Sequence, residues 1–338
     1  PSTLTVVPKE LTIRDFKVTV VNKRYDGTKT AQLLVVPNPD SLVPGSYVNA
    51  LTEGEFESAD AGYTVQTVNY KITGLTGDDS SNYYINGVLT GVASGHILPA
   101  HMTVSVPPVT TYVYDGEAKY VNAAAYANGI YCDKFYAYYT KDGENVTAPT
   151  DAGTYEVSIY TADSNYVING GVVTAQLIIK PAQQEFFTIE GIPDTVTYGD
   201  TIDLQTSGAD GGTVTYEIVE GADIAALNGN TITAQGIGKV TVKATNTKQN
   251  YNQKTAQRSF VINPKTLTYT VTAQNKVYDG TKNVDIQSIE LYGIEESDDV
   301  SAVLNGSAYT ATADAENNKT VFVTGITLDG AQSGNYRI

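Results

Sequence analysis

The stretch Asn22-Lys23-Arg24-Tyr25-Asp26-Gly27-Thr28-Lys29 returns near the other end of the chain as Asn275-Lys276-Val277-Tyr278-Asp279-Gly280-Thr281-Lys282. Shorter echoes stand between them, at Tyr114-Asp115-Gly116 and Tyr198-Gly199-Asp200. Self-similarity at a fixed period is the mark of a repeat architecture. A second marker fixes the period. Each motif is followed by an Asn-Tyr pair: Asn82-Tyr83, Asn165-Tyr166, Asn250-Tyr251 and Asn335-Tyr336. From motif tyrosine to pair tyrosine the separations are 58, 52, 53 and 58 positions. A third marker is a proline that closes an apolar run, at Val6-Val7-Pro8, Ile97-Leu98-Pro99, Ile178-Ile179-Lys180-Pro181 and Val261-Ile262-Asn263-Pro264.

Together the markers divide the 338 residues into four repeats, 9–99, 100–181, 182–264 and 265–338. The outer two share the longer spacing and the fuller motif, and the inner two form a second subtype. By their position before Pro8, residues 1–8 read as the terminal strand of a preceding repeat, with residues 2–7 extended. The fourth repeat stops two residues after Tyr336, so its own closing strand is expected to be missing. Residues 2–7 are then expected to hang free, to fold back on the first repeat, or to fill that position in a neighbouring molecule.

Within each repeat, short runs rich in Val, Thr and Tyr alternate apolar and polar residues between turn signals, which is the pattern of half-buried strands. Examples are Tyr63 to Val68 and Lys239-Val240-Thr241-Val242-Lys243-Ala244. Asp26-Gly27 reads as a tight hairpin turn, because glycine supplies the positive φ that such turns need. Ala123-Ala124-Ala125 has room for one helical turn at most. The fold class expected is all-β: a tandem array of four small immunoglobulin-like β-sandwich repeats, with β-grasp-like repeats as the alternative. Short proline-stiffened linkers predict an elongated, semi-rigid rod whose repeats unfold largely independently.

Composition narrows the function. The formal net charge is −16, from 21 basic and 37 acidic residues. Nucleic acids and anionic membranes both require a basic footprint, so neither is expected as a partner. No apolar run approaches the length of a membrane span. With Cys132 as the only cysteine, no intrachain disulfide can form, and Cys132 reads as a small core hydrophobe. The 25 tyrosines, against seven phenylalanines and no tryptophan, suit pleated surfaces.

The Tyr-Asp-Gly-Thr-Lys stretches with their downstream Asn-Tyr pairs resemble the YDG repeats of large bacterial surface proteins, including filamentous-haemagglutinin-like adhesins. The second repeat, with Tyr114-Asp115-Gly116 and Asp151-Ala152-Gly153-Thr154-Tyr155, resembles the related MBG type. Thr195 to Asp200 together with Val240-Thr241-Val242 make the third similar to MBG and wider bacterial Ig-like repeats. The resemblance implies extracellular stalk or adhesin repeats and carries no catalytic residues.

Candidate site residues follow from these readings. Tyr25, Asp26, Gly27, Tyr114, Asp115, Gly116, Tyr198, Gly199, Tyr278, Asp279 and Gly280 read as structural turn residues, with each tyrosine a core anchor whose hydroxyl is hydrogen-bonded. The asparagine of each Asn-Tyr pair is expected to satisfy local backbone. Asp151, Gly153 and Tyr155 match a tyrosine corner, in which the hydroxyl ties back to the backbone a few residues upstream. His96 and His101, both at the first junction, form neither a metal site nor a triad. The acidic runs Asp78-Asp79 and Glu295-Glu296-Ser297-Asp298-Asp299 read as solvated loops rather than calcium sites. No cofactor is called for. Strand alternation puts Tyr136 and Tyr138 on one wet face, where they read first as an inter-repeat contact or ordinary exposed tyrosine of a β surface and second as a platform for a sugar or protein. The expected protein is a monomeric, non-enzymatic stalk or adhesive segment that contacts a protein or glycan on a cell or host surface. The alternative is a carbohydrate-binding accessory region of a secreted polysaccharide-degrading enzyme.

Overall fold

The computed structural model describes residues 2–338. The chain is all-β, built from short strands, tight turns and four single-turn 3-10 helices, with no α-helix among the described residues. A β-grasp sheet needs a helix across its face, so the sandwich reading holds. The chain divides into two compact units, one ending at Lys180 and the other beginning at Pro181.

In the first unit, repeat one pairs Phe16–Val21 with Gln32–Pro37 in one ladder. A three-stranded sheet of Asn49–Phe56, Gln66–Thr76 and Leu89–Gly95 supplies its second face. Alternation along Gln66–Thr76 turns Val68, Tyr70 and Ile72 inward against Leu11, Phe16, Phe56 and Ile97. Repeat two is a fuller sandwich of a four-stranded and a five-stranded sheet. Between them lie Met102, Ala125, Cys132, Ile159 and Ile168, and beside them Tyr139, Tyr155, Val157, Leu177 and Ile179. The alanine run belongs to the strand Ala124–Ala127 rather than to a helical turn.

The second unit opens with repeat three. Its four-stranded sheet is centred on Gly238–Thr247 and Lys254–Asn263 and faces a three-stranded sheet. Val240, Val242, Ala244, Phe260 and Ile262 fill the interior, and Leu267 and Tyr336 of repeat four join the same cluster. Repeat four consists of small ladders, Thr268–Ala273 with Ile286–Tyr292 and Ser301–Leu304 with Ile326–Asp329 among them.

The structure departs from the sequence reading at three points. Asp26-Gly27 does not close a two-residue hairpin, because Val21 pairs with Gln32 and the motif lies in the longer connection at 22–31. Residues 2–8 form no ladder and pairing begins at Lys9–Glu10, so the terminal strand is not formed, and of the outcomes named for residues 2–7 the unpaired one is seen. Apolar rings and polar bonds also cross the junction inside each unit, where sparse linker contacts were expected.

Candidate functional site

The junction between consecutive repeats is where all three sequence markers meet. After each junction proline the next residue pairs with an Asn-Tyr tyrosine in parallel: Lys9 with Tyr83, Ala100 with Tyr166, Ala182 with Tyr251 and Lys265 with Tyr336. The motif strand runs parallel to the strand that ends at the proline. Tyr25 N–H donates to the Leu98 carbonyl at 2.8 Å, Tyr114 N–H to Lys180 at 2.9 Å and Tyr198 N–H to Asn263 at 2.9 Å. Inside each unit, the motif, the proline and the pair are therefore parts of one joint.

Side chains lock that joint. In the first unit the Tyr25 ring meets Tyr166 edge-on, with centroids 5.4 Å apart at 75°. In the second, Tyr198 meets Tyr336 at 5.3 Å and 74°. Tyr25 and Tyr198 thus each pack on the pair tyrosine of the following repeat. Tyr198 is a buried core residue and Tyr25 and Tyr114 pack half-buried against core clusters, but Tyr278 stands exposed, which corrects the core-anchor reading at that position. Among the described residues no ring meets Tyr278 as Tyr166 meets Tyr25 and Tyr336 meets Tyr198. In the first unit the pair asparagine Asn165 bonds across the joint rather than locally. Asn165 Oδ1 accepts from Ala61 N–H at 2.6 Å, and its amide donates to Asp60. Arg24 crosses the same joint to donate to the Pro99 carbonyl at 2.9 Å.

The joint of the second unit is more polar. Asp298 Oδ2 accepts from Tyr336 Oη at 2.5 Å and from Tyr198 Oη at 2.9 Å. Tyr336 Oη in turn accepts from Glu295 N–H at 2.9 Å. Burial, followed by the hydrogen bond to Asp298, pushes the Tyr336 hydroxyl well above the usual phenol range. The same two causes raise Tyr198. Lys265 bridges to Glu295, which also lies against Gly199. The acidic run at 295–299 therefore holds two tyrosines, which its loop-like composition did not disclose. Tyr83 repeats the arrangement, accepting from Val43 N–H and donating to Ser46.

The motif loop has its own lock. Lys23 Nζ donates to Asp26 Oδ1, the Thr28 carbonyl and Thr28 Oγ1 at 2.8, 2.8 and 2.9 Å. Thr28 N–H and Oγ1 both close onto Asp26. Lys276, Asp279 and Thr281 reproduce these bonds, and Lys276 adds one to the Asn283 carbonyl. Gly27 and Gly280 take φ of +76° and +74° to complete the turn. The Lys23 bond holds Asp26 at about 2, and the Thr281 backbone and Lys276 hold Asp279 at about 2. Asp115 closes its turn through Glu117 N–H and Lys119, and Gly116 has φ +87°.

Two further candidates lie away from the joint strands. Tyr155 Oη donates to the Asp151 carbonyl at 2.6 Å, and Gly153 opens the same strand. Tyr136 and Tyr138 are exposed on the outer face of the five-stranded sheet. Tyr160, which sequence reading passed over, stacks on Tyr136 at 5.7 Å and meets Tyr138 edge-on at 6.4 Å. His96 and His101 form no cluster. His96 N–H donates to Asn22 Oδ1, which gives the first residue of the motif its role.

Residues 7–90 and 263–338 match the YDG domain. The chain carries two YDG-type repeats, at its first and fourth positions. No curated protein matches it. Among solved structures, a tetra-tandem repeat from the extending region of a large adhesion protein is similar over 94% of this chain and 88% of its own, at 15% identity and a TM-score of 0.37. A C-terminal fragment of intimin, in complex with the intimin-binding domain of its translocated receptor, is similar over 61% of this chain at 14% identity and TM-score 0.22. An S-layer protein is similar over 95% at 13% identity and TM-score 0.20. The matches span 60% of the intimin fragment and 53% of the S-layer chain. Among the described residues no helix is long and apolar enough to cross a membrane.

Proposed function

We propose that the chain is a non-enzymatic stalk or adhesive segment of a bacterial cell-surface or secreted protein, holding a distal binding region away from the cell. The joint carries this reading. A strand enters it through a proline, pairs at once with the next repeat and is pinned by a tyrosine pair, so load passes through backbone ladders and a packed contact. The two YDG-type repeats support it, and repeats two and three are read as MBG-like or bacterial Ig-like spacers. To test it, the segment is placed between a surface anchor and a reporter binding domain on a bacterial cell. Capture of a bulky target should fall stepwise as repeats are removed. Equal capture with and without the segment would defeat the proposal.

A second reading is favoured by one observation, the three exposed rings of Tyr136, Tyr138 and Tyr160 on one sheet face. Stacked and edge-on tyrosines offer a sugar ring a flat apolar floor with polar tips, as a carbohydrate-binding accessory region would. A glycan array with the full chain separates the readings. Saturable binding that disappears in Tyr136→Ala with Tyr138→Ala supports this one, and an array without binding removes it.

A further inference from the structure

The exposed tyrosines of repeat two are one end of a longer feature. On the five-stranded sheet Tyr136 lies across from Tyr160, and Tyr138 lies across from Ser158, which in turn faces Thr174. Two positions further along the same strands, Glu156 faces Gln176. Alternation turns these side chains outward, because Val157, Ile159, Ala175 and Leu177 between them point into the core. Glu156, Ser158, Thr174 and Gln176 line a groove of about 360 Å³, with Val157, Ala175 and Pro108 completing it. That volume falls within the range of small-ligand sites, about 300–1,000 Å³. Ser158 is where groove and rings meet, since Tyr138 stands directly opposite.

The polar groups of this face are uncommitted. Among the described residues, no hydrogen-bond or ion-pair partner engages the side chains of Glu156, Ser158, Thr174 or Gln176. An ionised carboxylate only accepts, an amide both donates and accepts, and hydroxyls do either. That set matches the hydroxyls of a sugar. It does not match an anionic sugar, because the groove holds a carboxylate and no cation. Lys134, the basic residue nearest the rings in sequence, is paired with Asp133 at 3.3 Å.

We propose that rings and groove form one binding site for a neutral oligosaccharide. One end of the ligand lies on Tyr136, Tyr138 and Tyr160, and the following sugars run along the groove towards Gln176. The inference rests on the reading of these tyrosines as a sugar platform, and adds the polar subsite, the length and the charge of the ligand. From Phe135–Lys141 to Val173–Lys180 is two strand spacings, roughly 10 Å. A single sugar on the rings therefore leaves the groove empty, and a chain of sugars fills both.

Titration calorimetry of the full chain tests the proposal. The probes are cellohexaose with glucose, chitohexaose with N-acetylglucosamine, and hexagalacturonate. A neutral hexamer should bind at least about tenfold tighter than its own monomer, the gain of one or two good hydrogen bonds. Hexagalacturonate should not bind. Glu156→Ala with Gln176→Ala, both at outward positions, should weaken the hexamer by about tenfold, and Tyr136→Ala with Tyr138→Ala should abolish its binding. Three results overturn the inference while leaving the platform standing: a monomer that binds as tightly as its hexamer, a hexagalacturonate that binds as well, or a groove variant that binds like the parent. A chain that binds none of the probes removes the platform reading and the inference together.

Discussion

Replacing Tyr336 by phenylalanine tests whether the polar joint holds the second unit together. The ring would keep its edge contact with Tyr198, but its hydroxyl gives Asp298 one of two phenol bonds and receives Glu295 N–H. A hydrogen bond to a charged partner contributes about 1.5–3 kcal/mol, more than a neutral one. The Tyr336 side chain is buried, so water does not fully replace the lost hydroxyl, and a loss of about 2–3 kcal/mol is expected. In a unit of this size each kcal/mol moves the midpoint by about 2–4 °C, so the transition of the second unit should fall by roughly 4–12 °C. Calorimetry of the full chain reads this directly, with the first unit as an internal control. Tyr198→Phe should cost less, because Asp298 keeps the shorter bond. A change below about 0.5 kcal/mol, the usual range of surface substitutions, would refute the view that Asp298 organises the joint.

Four other outcomes follow. A double-mutant cycle of Tyr25→Ala and Tyr166→Ala, read by urea denaturation, should return a coupling of about 0.5–1.5 kcal/mol for the edge-on pair, and additive effects would contradict the joint. Asp26 and Asp279 sit at about 2 against an ordinary 3.8, so the stabilisation they give is full above that ordinary value and is lost as pH falls from about 4 to about 2; Asp26→Asn should flatten the acid limb of the stability curve. Tyr336 is shifted the other way, so its contribution is full below the ordinary phenol value of about 10 and is lost as pH rises beyond it, which should appear as alkaline destabilisation that Tyr336→Phe reduces. Gly77 and Gly330 combine φ of +106° and +110° with backbone oxygens 2.6 and 2.3 Å from where a Cβ would stand, so alanine at either should cost at least about 2 kcal/mol, measured by thermal melting.

Local patterning in the sequence was enough to reveal the repeated markers, the all-β class and some of the strands, Lys239 to Ala244 among them, because a strand's alternation and a turn's glycine are written within a few residues. The tyrosine corner was legible for the same reason, since Tyr155 reaches back only to Asp151. What the markers are for was not legible. Tyr25 meets a ring 141 positions later, in the next repeat, and nothing near Tyr25 encodes that distance. Asp298 looked like one solvated acid among several, and only the fold brings two phenols onto it. Tyr278 carries the same motif as Tyr25, yet stands exposed where Tyr25 is half-buried. A polar or aromatic side chain takes its role from whatever the tertiary structure sets against it. At these joints that neighbour lies on another repeat, beyond the reach of any local pattern.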